Sequence, residues 1–311
     1  MCLKIHNVSS MSEPWLRLNG CEITTPEAAD FIVYEQRGDL GLKRTITQLK
    51  HKYPTNKLVF INVSDMRLVD DKHIWFVQNC TTITDSIHQI YTHNPRIWSY
   101  IQEEHVAKDM TGHFAGRLWG IPARQSLLKT SARWEITERT GEFVKLKDRA
   151  TISTDTYKKM QRSVYTLCPR GMGPSSMRVV EALACSSVPI LIDDNTNPYG
   201  DNFGDLVIRL KASDVANLDQ IIDDLPTPDA AVFQACRDYY VHNICPDLLR
   251  DPELPWAVAA GCSHRIVRIL EDILLSRRGR IAAIAADCKS VPSVSEVRVL
   301  PRHHNVSYMV H

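Results

Sequence analysis

The sequence predicts an α/β protein with two halves, each built around a parallel sheet. One strand–helix–strand pattern lies between residues 29 and 63, and a second lies between residues 163 and 194. In both, two short apolar segments flank a segment with helical periodicity, which is typical of a parallel βαβ unit. The chain has 311 residues, which is long enough for two domains with separate cores.

The composition is that of an ordinary globular protein. Hydrophobic residues make up 44% of the chain, charged residues 23%, and the formal net charge is +1. This balance gives no reason to expect a nucleic-acid partner or an electrostatic membrane anchor. No segment approaches 18 consecutive apolar residues, so no integral membrane segment is expected.

The cysteines and the first residues of the chain bear on its compartment. The nine cysteines are odd in number, scattered and without C-x-x-C spacing, and the histidines show no H-E-x-x-H pattern. Reduced thiols are therefore favoured over a disulfide framework or a metal site. The start, MCLKIHNVSSMSEPW, lacks the apolar core of a signal peptide. We expect a cytoplasmic protein, or a secretory-lumen protein if the natural protein carries an anchor that this sequence lacks.

The first half begins with residues 1 to about 28, whose weak periodicity predicts a loose lead-in. A short strand follows at 29–35, and Asp39 can cap the next helix. In that helix apolar residues recur at helical spacing, at Leu42, Ile46, Leu49 and Tyr53.

Pro54 ends this helix, and the apolar segment 58–63 predicts the second strand of the unit. Two further short elements and a helix are predicted at residues 75–82, 87–91 and 96–108. After these a strand, a helix that starts at a proline, a second strand and a longer helix are predicted, at 113–117, Pro122, 134–137 and 153–163.

The second strand–helix–strand pattern organises the rest of the chain. Its first strand, 164–168, stops at Pro169, and Gly171 lies in the loop that follows. Ser175 or Ser176 can cap the helix, and the segment 188–192 is the next strand. After it come one strand and three helical segments, at 206–210, 213–225, 229–243 and 256–276, and then residues 279–311 without a clear pattern.

Polar residues gather at the start of the helix in this pattern. Arg170, Ser175, Ser176 and Arg178 surround a helix N-terminus, where unpaired N–H groups attract anions. Guanidinium groups match phosphate oxygens two at a time, so the group suits a diphosphate, and Glu181 could reach a ribose diol. The alternative is an ordinary helix start with a surface salt bridge between Arg178 and Glu181.

The residues 163–194 carry a family resemblance. The string S-x-Y-x-L-C-P-R-G-x-G-x-S-S-x-R-x-x-E-A-L-A-C-x-x-V-P-I-L-I-x-D resembles the signature of the exostosin family of glycosyltransferases. That resemblance implies inverting sugar transfer on a GT-B fold, two Rossmann-like domains that face each other across a cleft. One departure is Cys185-Ser186-Ser187, where the family usually has a small residue, glycine and cysteine.

The resemblance divides the chain into three parts. Residues 1–110 would be the acceptor-side domain and 111–275 the nucleotide-sugar domain, with a tail, 276–311, that could pack back on the first domain. The segment around HFAGR is similar to the family's F-x-G-R…R-x-x-L stretch. The implied donor-binding residues are Gly116, Arg117, Arg124, Cys168, Pro169, Arg170, Gly171, Ser175, Ser176, Arg178 and Glu181, with Asp194 and Tyr199 lining the cleft.

The implied substrates are a nucleotide diphosphate sugar, in the family usually a UDP-sugar, and a hydroxyl of a glycan acceptor. UDP-xylose is the first donor to consider, and no further cofactor and no metal are implied. Asp193 and Asp194 could suggest a metal-binding pair, but adjacent strand residues point to opposite faces. The arginines and the helix end would instead stabilise the leaving diphosphate.

Inverting transfer also needs a base for the acceptor hydroxyl. Asp65, at the carboxyl end of the strand 58–63, is the first choice, because ligands of open α/β sheets gather there. Many family members have a His-Asp pair at this point, whereas Ser64 precedes Asp65 here. Glu35 and His113 are alternatives, as is Asp39, although Asp39 suits a helix cap better.

Two other functions are compatible with the same residues. One is a non-catalytic nucleotide- or sugar-binding module that keeps the arginines but lacks a base. The other is a different α/β nucleotide-dependent transferase that uses the same helix-end site. UDP-sugar hydrolysis distinguishes the first, and binding of UDP against GDP and ADP distinguishes the second.

Overall fold

The structure is a computed structural model, and it describes most of the chain from residue 2 to residue 277. The described ranges are 2–9, 13–37, 42–63, 72–77, 87–89, 97, 106–139, 146–171, 176–193, 203–244 and 263–277. The described residues up to Val267 belong to one compact unit, and the described residues from Arg268 to Arg277 belong to a second. No helix among the described residues is both long enough and apolar enough to span a membrane.

The first sheet has six strands, all parallel, in the order β2-β1-β3-β4-β5-β6. Their bounds are Lys4–Asn7, Glu22–Ile23, Phe31–Arg37, Leu58–Val63, Ile74–Val77 and Ile87–Gln89 for β1 to β6. The helix α1 (Glu13–Leu18) lies between β1 and β2. The predicted loose lead-in is therefore wrong, because β1 and β2 of this sheet and the helix α1 lie within residues 4–23.

The core of the first sheet forms where the helix α2 (Leu42–Lys52) covers it. Ile46 and Leu49 of the helix pack with Ile32, Phe60 and Trp75 of the strands. The rings of Phe60 and Trp75 are stacked with their centroids 4.6 Å apart. The predicted helical spacing of Ile46 and Leu49 is thus confirmed as the buried face of this helix.

The second sheet has five parallel strands in the order β11-β10-β9-β7-β8. The strands β7 to β11 are Met110–Gly116, Trp134–Glu138, Ser163–Pro169, Val188–Ile192 and Ile208–Leu210. Since the strands of both sheets are parallel and each sheet carries crossover helices, the predicted α/β class with two Rossmann-like sheets is confirmed.

The helices of the second half follow the predicted order with different bounds. They are α3 (Pro122–Gln125), α4 (Leu146–Arg162), α5 (Met177–Ala184), α6 (Leu218–Asp223), α7 (Ala230–Tyr239) and α8 (Ser263–Arg277). Pro122 is the first residue of α3, as predicted, and Asp229 caps α7 by accepting from the N–H groups of Ala231 and Val232. Residues 106–108, the end of the predicted helix 96–108, are not helical.

The C-terminus of α5 closes tightly although it lacks the glycine usual in the resembled family. The N–H of Ser187 donates to the carbonyl of Ala182 at 3.0 Å, and that of Ser186 to Leu183 at 3.1 Å. This pair of bonds defines a Schellman motif, whose C′ residue needs the left-handed conformation. Ser186 occupies that position with φ 56°. A serine therefore takes a conformation that glycine adopts without steric strain.

Ser186→Gly is expected to stabilise the protein by about 0.5 to 1 kcal/mol, because glycine removes the Cβ penalty at positive φ. Urea unfolding at neutral pH measures the change. Ser186→Ala is the matched control, since alanine keeps the Cβ and should give no gain. If both variants were stabilised equally, the left-handed conformation of residue 186 would be contradicted.

Candidate functional site

The candidate site lies at the carboxyl edge of the second sheet. Arg117, Arg139 and Arg170 each follow the last residue of one strand, β7, β8 and β9, and Asp193 follows β10. Because parallel strands end at the same edge, these four charged residues gather at one side of the sheet. The N-terminus of α5 opens at this edge too, directly after the loop that leaves β9.

Arg178 is central to the site. It lies in the first turn of α5 and forms an ion pair with Glu181, with 2.8 Å between Nη1 and Oε2. Its Nη2 donates to the carbonyl oxygen of Ala115 on β7 at 3.4 Å. The guanidinium is therefore held between a helix and a strand, while a quarter of the side chain stays exposed.

Glu181 is buried rather than exposed. Its side chain is 5% exposed, and its second oxygen, Oε1, accepts a hydrogen bond from the hydroxyl of Tyr157 at 3.1 Å. The predicted pair with Arg178 is present, but it is not the surface salt bridge of the alternative interpretation. Both carboxylate oxygens are engaged by protein groups, and the predicted ribose contact of Glu181 stays a prediction.

Arg124 joins the two loops that frame the site. Its Nε donates to the carbonyl of Arg170 and its Nη1 to the carbonyl of Arg117, both at 3.2 Å. A Cβ added to Gly171 would lie 3.3 Å from Arg124 Nη2, so glycine allows this close approach. Burial, together with Arg178 and Arg117, lowers the pKa of Arg124. Arg124 thus fixes the loops as well as adding charge.

Arg139 is a member of the site that the sequence alone did not indicate. Its Nη2 donates to Thr156 Oγ1 on α4 at 2.5 Å. Burial and the charge of Arg178 lower the pKa of Arg139, so the two guanidinium groups repel each other. The only signal in the sequence was an arginine two residues beyond the end of the predicted strand 134–137. The edge thus concentrates positive charge, which an anion would relieve.

Arg170 and Asp193 face each other across the ends of β9 and β10. Arg170 Nη1 lies 3.9 Å from Asp193 Oδ1, and the Asp193 side chain is 2% exposed. Asp193 therefore balances part of the arginine charge. In the part of the chain that the structure describes, no group of three or more histidine, cysteine, aspartate or glutamate residues is arranged to hold a metal ion.

Trp119 lies beside the arginines and was also missed by the sequence reasoning. Its ring is covered on one face by the guanidinium of Arg117, with Arg117 Cζ 3.4 Å from the ring centroid. The residue is 55% exposed, which is unusual for a tryptophan. The cation–π contact holds the Arg117 side chain next to its own strand end.

His113 lies inside the sheet rather than at its edge. It is 0% exposed, and neither ring nitrogen has a hydrogen-bond partner among the described residues. Burial, and then the charges of Arg178, Lys159 and Arg139, lower the pKa of His113 to about 3. The ring is therefore neutral at physiological pH and shielded from any acceptor in this structure, which argues against His113 as the base.

The other predicted site residues take varied positions. Cys168 and Pro169 belong to the buried end of β9, where the Cys168 thiol donates to the carbonyl of Thr166 at 3.2 Å. Gly116 is the last residue of β7. Ser176, one of the two serines predicted to cap α5, occupies its N-cap position, although its side chain makes no capping hydrogen bond.

Several predicted residues lie outside the described part of the chain. They are Asp39, Asp65, Ser175, Asp194 and Tyr199. The alternative base Glu35 is described, and it is buried in β3, where its N–H donates to Ser9 Oγ at 3.1 Å. The assignment of Asp65 as the base stays a prediction.

Comparisons with known proteins give relatives for part of this chain. A probable glucuronosyltransferase of Oryza sativa subsp. japonica is 40% identical over 83 residues, which is 24% of this chain and 20% of that protein. A probable β-1,4-xylosyltransferase of Arabidopsis thaliana is 37% identical over 83 residues, with the same coverage. The match thus spans about a fifth of the length of these relatives.

The solved structures that a fold comparison matches to this chain are more distant in sequence. The glycosyltransferase AviGT4, involved in avilamycin A biosynthesis, is 11% identical with a TM-score of 0.42, over 88% of this chain and 98% of its own. A glycosyltransferase from Rickettsia africae ESF-5 is 9% identical with a TM-score of 0.44 and the same coverage.

The decisive comparison is with a family model. The exostosin GT47 domain matches residues 47–225, which is more than half of the chain. The match includes the signature at 163–194 and the arginines at the sheet edge, which are Arg117, Arg124, Arg139, Arg170 and Arg178. The chain therefore belongs to the exostosin GT47 family.

Proposed function

We propose that this chain is a glycosyltransferase that moves a sugar from a nucleotide diphosphate sugar to a hydroxyl of a glycan acceptor. The observation that carries the proposal is the cluster of Arg117, Arg124, Arg139, Arg170 and Arg178 at one sheet edge, beside a helix N-terminus. Family membership and the names of the plant relatives support sugar transfer.

The chemistry follows from the charge of the leaving group. When the bond between sugar and diphosphate breaks, negative charge grows on the diphosphate oxygens, and donors placed in advance lower that barrier. Arg178 is held in place by Glu181 and Ala115, so its remaining N–H groups can meet phosphate oxygens without reorganisation. Arg170 and Arg117 add charge from the adjacent loops.

The donor and the stereochemistry extend this proposal. We take the donor to be a UDP-sugar, with UDP-xylose and UDP-glucuronate as the first two to test, because the relatives are named as xylosyl- and glucuronosyltransferases. Transfer would proceed with inversion, with Asp65 as the base and without a metal ion, since arginines supply the positive charge.

The proposal is tested by incubating the chain with a panel of UDP-sugars and glycan acceptors and measuring UDP release. At least one UDP-sugar should be consumed, and the rate should survive EDTA. Rates lost in EDTA and restored by manganese would overturn the metal-independent mechanism. Binding of UDP without turnover of any donor would favour a non-catalytic binding module. Preference for GDP or ADP over UDP would indicate a different nucleotide-dependent transferase.

A further inference from the structure

A series of three polar side chains in contact leads from α4 to the proposed diphosphate site. Tyr157 on α4 is 2% exposed, and its hydroxyl donates to Glu181, which in turn pairs with Arg178. Tyr157 lies on α4, whereas Glu181 and Arg178 lie one turn apart on α5. Of the three side chains only that of Arg178, 25% exposed, reaches solvent to any extent. This series of contacts therefore begins at Tyr157 in the core and ends at Arg178, on the surface where an anion would bind.

We propose that Tyr157 and Glu181 are positioning residues that aim Arg178 at the nucleotide diphosphate, an inference that rests on the proposed glycosyltransferase function. A guanidinium has five N–H groups, and Arg178 uses one on Glu181 and one on the Ala115 carbonyl. The N–H groups that remain share one fixed plane. Phosphate then meets an arginine whose rotamer is already set, so less conformational entropy is lost on binding.

Glu181 fits this role because it cannot turn away from Arg178. A carboxylate held by Arg178 alone could rotate about its last bond, but the Tyr157 hydrogen bond fixes the second oxygen. Burial and the neighbouring Glu181 charge raise the pKa of Tyr157, so the phenol stays protonated and remains a donor. The Tyr157 hydroxyl thus acts on the ligand only through Glu181 and Arg178, and it contacts neither nucleotide nor sugar.

The charge balance of the buried pair points in the same direction. A buried carboxylate is costly unless it is paired and hydrogen-bonded, and Glu181 meets both conditions only in this arrangement. If Arg178 swung out to solvent, Glu181 would be left buried with one neutral donor. The buried pair therefore disfavours arginine rotamers that break the contact between Arg178 and Glu181.

Calorimetric titration of the full chain with UDP and with UMP tests the proposal. Tyr157→Phe removes only the hydroxyl, and we expect UDP affinity to fall about 3- to 30-fold. UMP affinity should fall less, because the missing phosphate is the group that Arg178 would hold. Tyr165→Phe is the matched control, since Tyr165 is a buried tyrosine on β9. It should leave the affinities for both nucleotides unchanged.

A double variant separates positioning from general destabilisation. In an Arg178→Ala background, Tyr157→Phe should have no further effect on UDP affinity, since nothing remains to be positioned. Equal losses for UDP and UMP, or the same loss with and without Arg178, would overturn the inference. Wild-type UDP affinity in Tyr157→Phe would also overturn it while leaving the proposed function intact. A wild-type chain that binds no UDP would contradict the proposed function itself.

Discussion

UDP binding by the Arg178→Ala variant is expected to be weaker than that of the wild-type chain by about 2 to 4 kcal/mol, roughly 30- to 1000-fold. The reason is that the variant removes a charge-assisted contact to a multiply charged diphosphate, at a point where the guanidinium is already oriented. Calorimetry with UDP measures the loss. The expectation rests on the proposed function, since Arg178 lies at the sheet edge where the diphosphate would bind.

The same substitution should also lower the free energy of unfolding. Removal of Arg178 leaves the Glu181 carboxylate buried with only the Tyr157 hydroxyl as a partner, at a cost of up to about 3 kcal/mol. The double variant Arg178→Ala/Glu181→Gln removes the stranded charge, while its amide oxygen can still accept from Tyr157. We therefore expect the double variant to regain stability but not UDP affinity.

An arginine remote from the site gives the control. Arg133 pairs with Asp223 at 2.6 Å on the exposed surface, and Arg133→Ala should leave UDP affinity at the wild-type level. If the double variant recovered UDP binding together with stability, Arg178 would have acted only through the fold. In that case the ligand contact assigned to it would be contradicted.

The main strands could be predicted because their signals are local. The β-branched segments 58–63 and 188–192 are buried over most or all of their length in the structure, and the helical spacing of Ile46 and Leu49 marks the face that meets the sheet. Such patterns need only the neighbouring residues to be read. The signature region was predictable for the same reason, since its strand, loop and helix follow each other without a gap.

The strands that were missed depend on distant partners. β1 has four residues and β2 two, and both gain their hydrogen bonds by pairing within a sheet whose next strand, β3, begins only at Phe31. So short an element shows no alternation, and its stability comes from tertiary packing of residues such as Leu3 and Ile5. Sequence patterns over a short window carry no trace of that pairing.

The site shows the same division between local and distant information. Arg170, Arg178 and Glu181 lie within a dozen residues of each other, and the sequence alone predicted their proximity. Arg139 and Tyr157 enter the site from a separate strand end and a separate helix, and only the fold brings them to Arg178 and Glu181. The burial of His113 likewise depends on residues on both sides of β7, so its exposure could not be read from HFAGR.

The protein is expected to lose about 2 kcal/mol of stability between pH 7 and pH 5 through His113 alone. Its pKa is lowered to about 3 in the folded chain, against about 6.5 for an unfolded histidine. Between these values the unfolded chain binds more protons than the folded chain, so stability falls as pH falls. The stability that the neutral His113 ring contributes is almost fully present above pH 6.5, and it is lost progressively as the pH falls to about 3.

The physical cause is a ring placed where a charge cannot be accommodated. His113 is surrounded by protein, and Arg178 on α5, Lys159 on α4 and Arg139 after β8 would all repel a protonated ring, with Asp155 opposing them only weakly. His113→Leu removes the titrating group and keeps a similar volume. Urea unfolding at pH 7 and pH 5 should therefore show a smaller pH dependence for this variant, by about 2 kcal/mol.

The comparison of two pH values cancels any constant effect of the new side chain on packing. His113→Asn provides a second neutral substitution if the leucine variant folds poorly, and His242→Gln changes an exposed histidine as the control. Only the His113 variants should flatten the pH dependence. An unchanged pH dependence in them would mean that His113 titrates as it does in the unfolded chain, and it would then return as a candidate base beside Asp65.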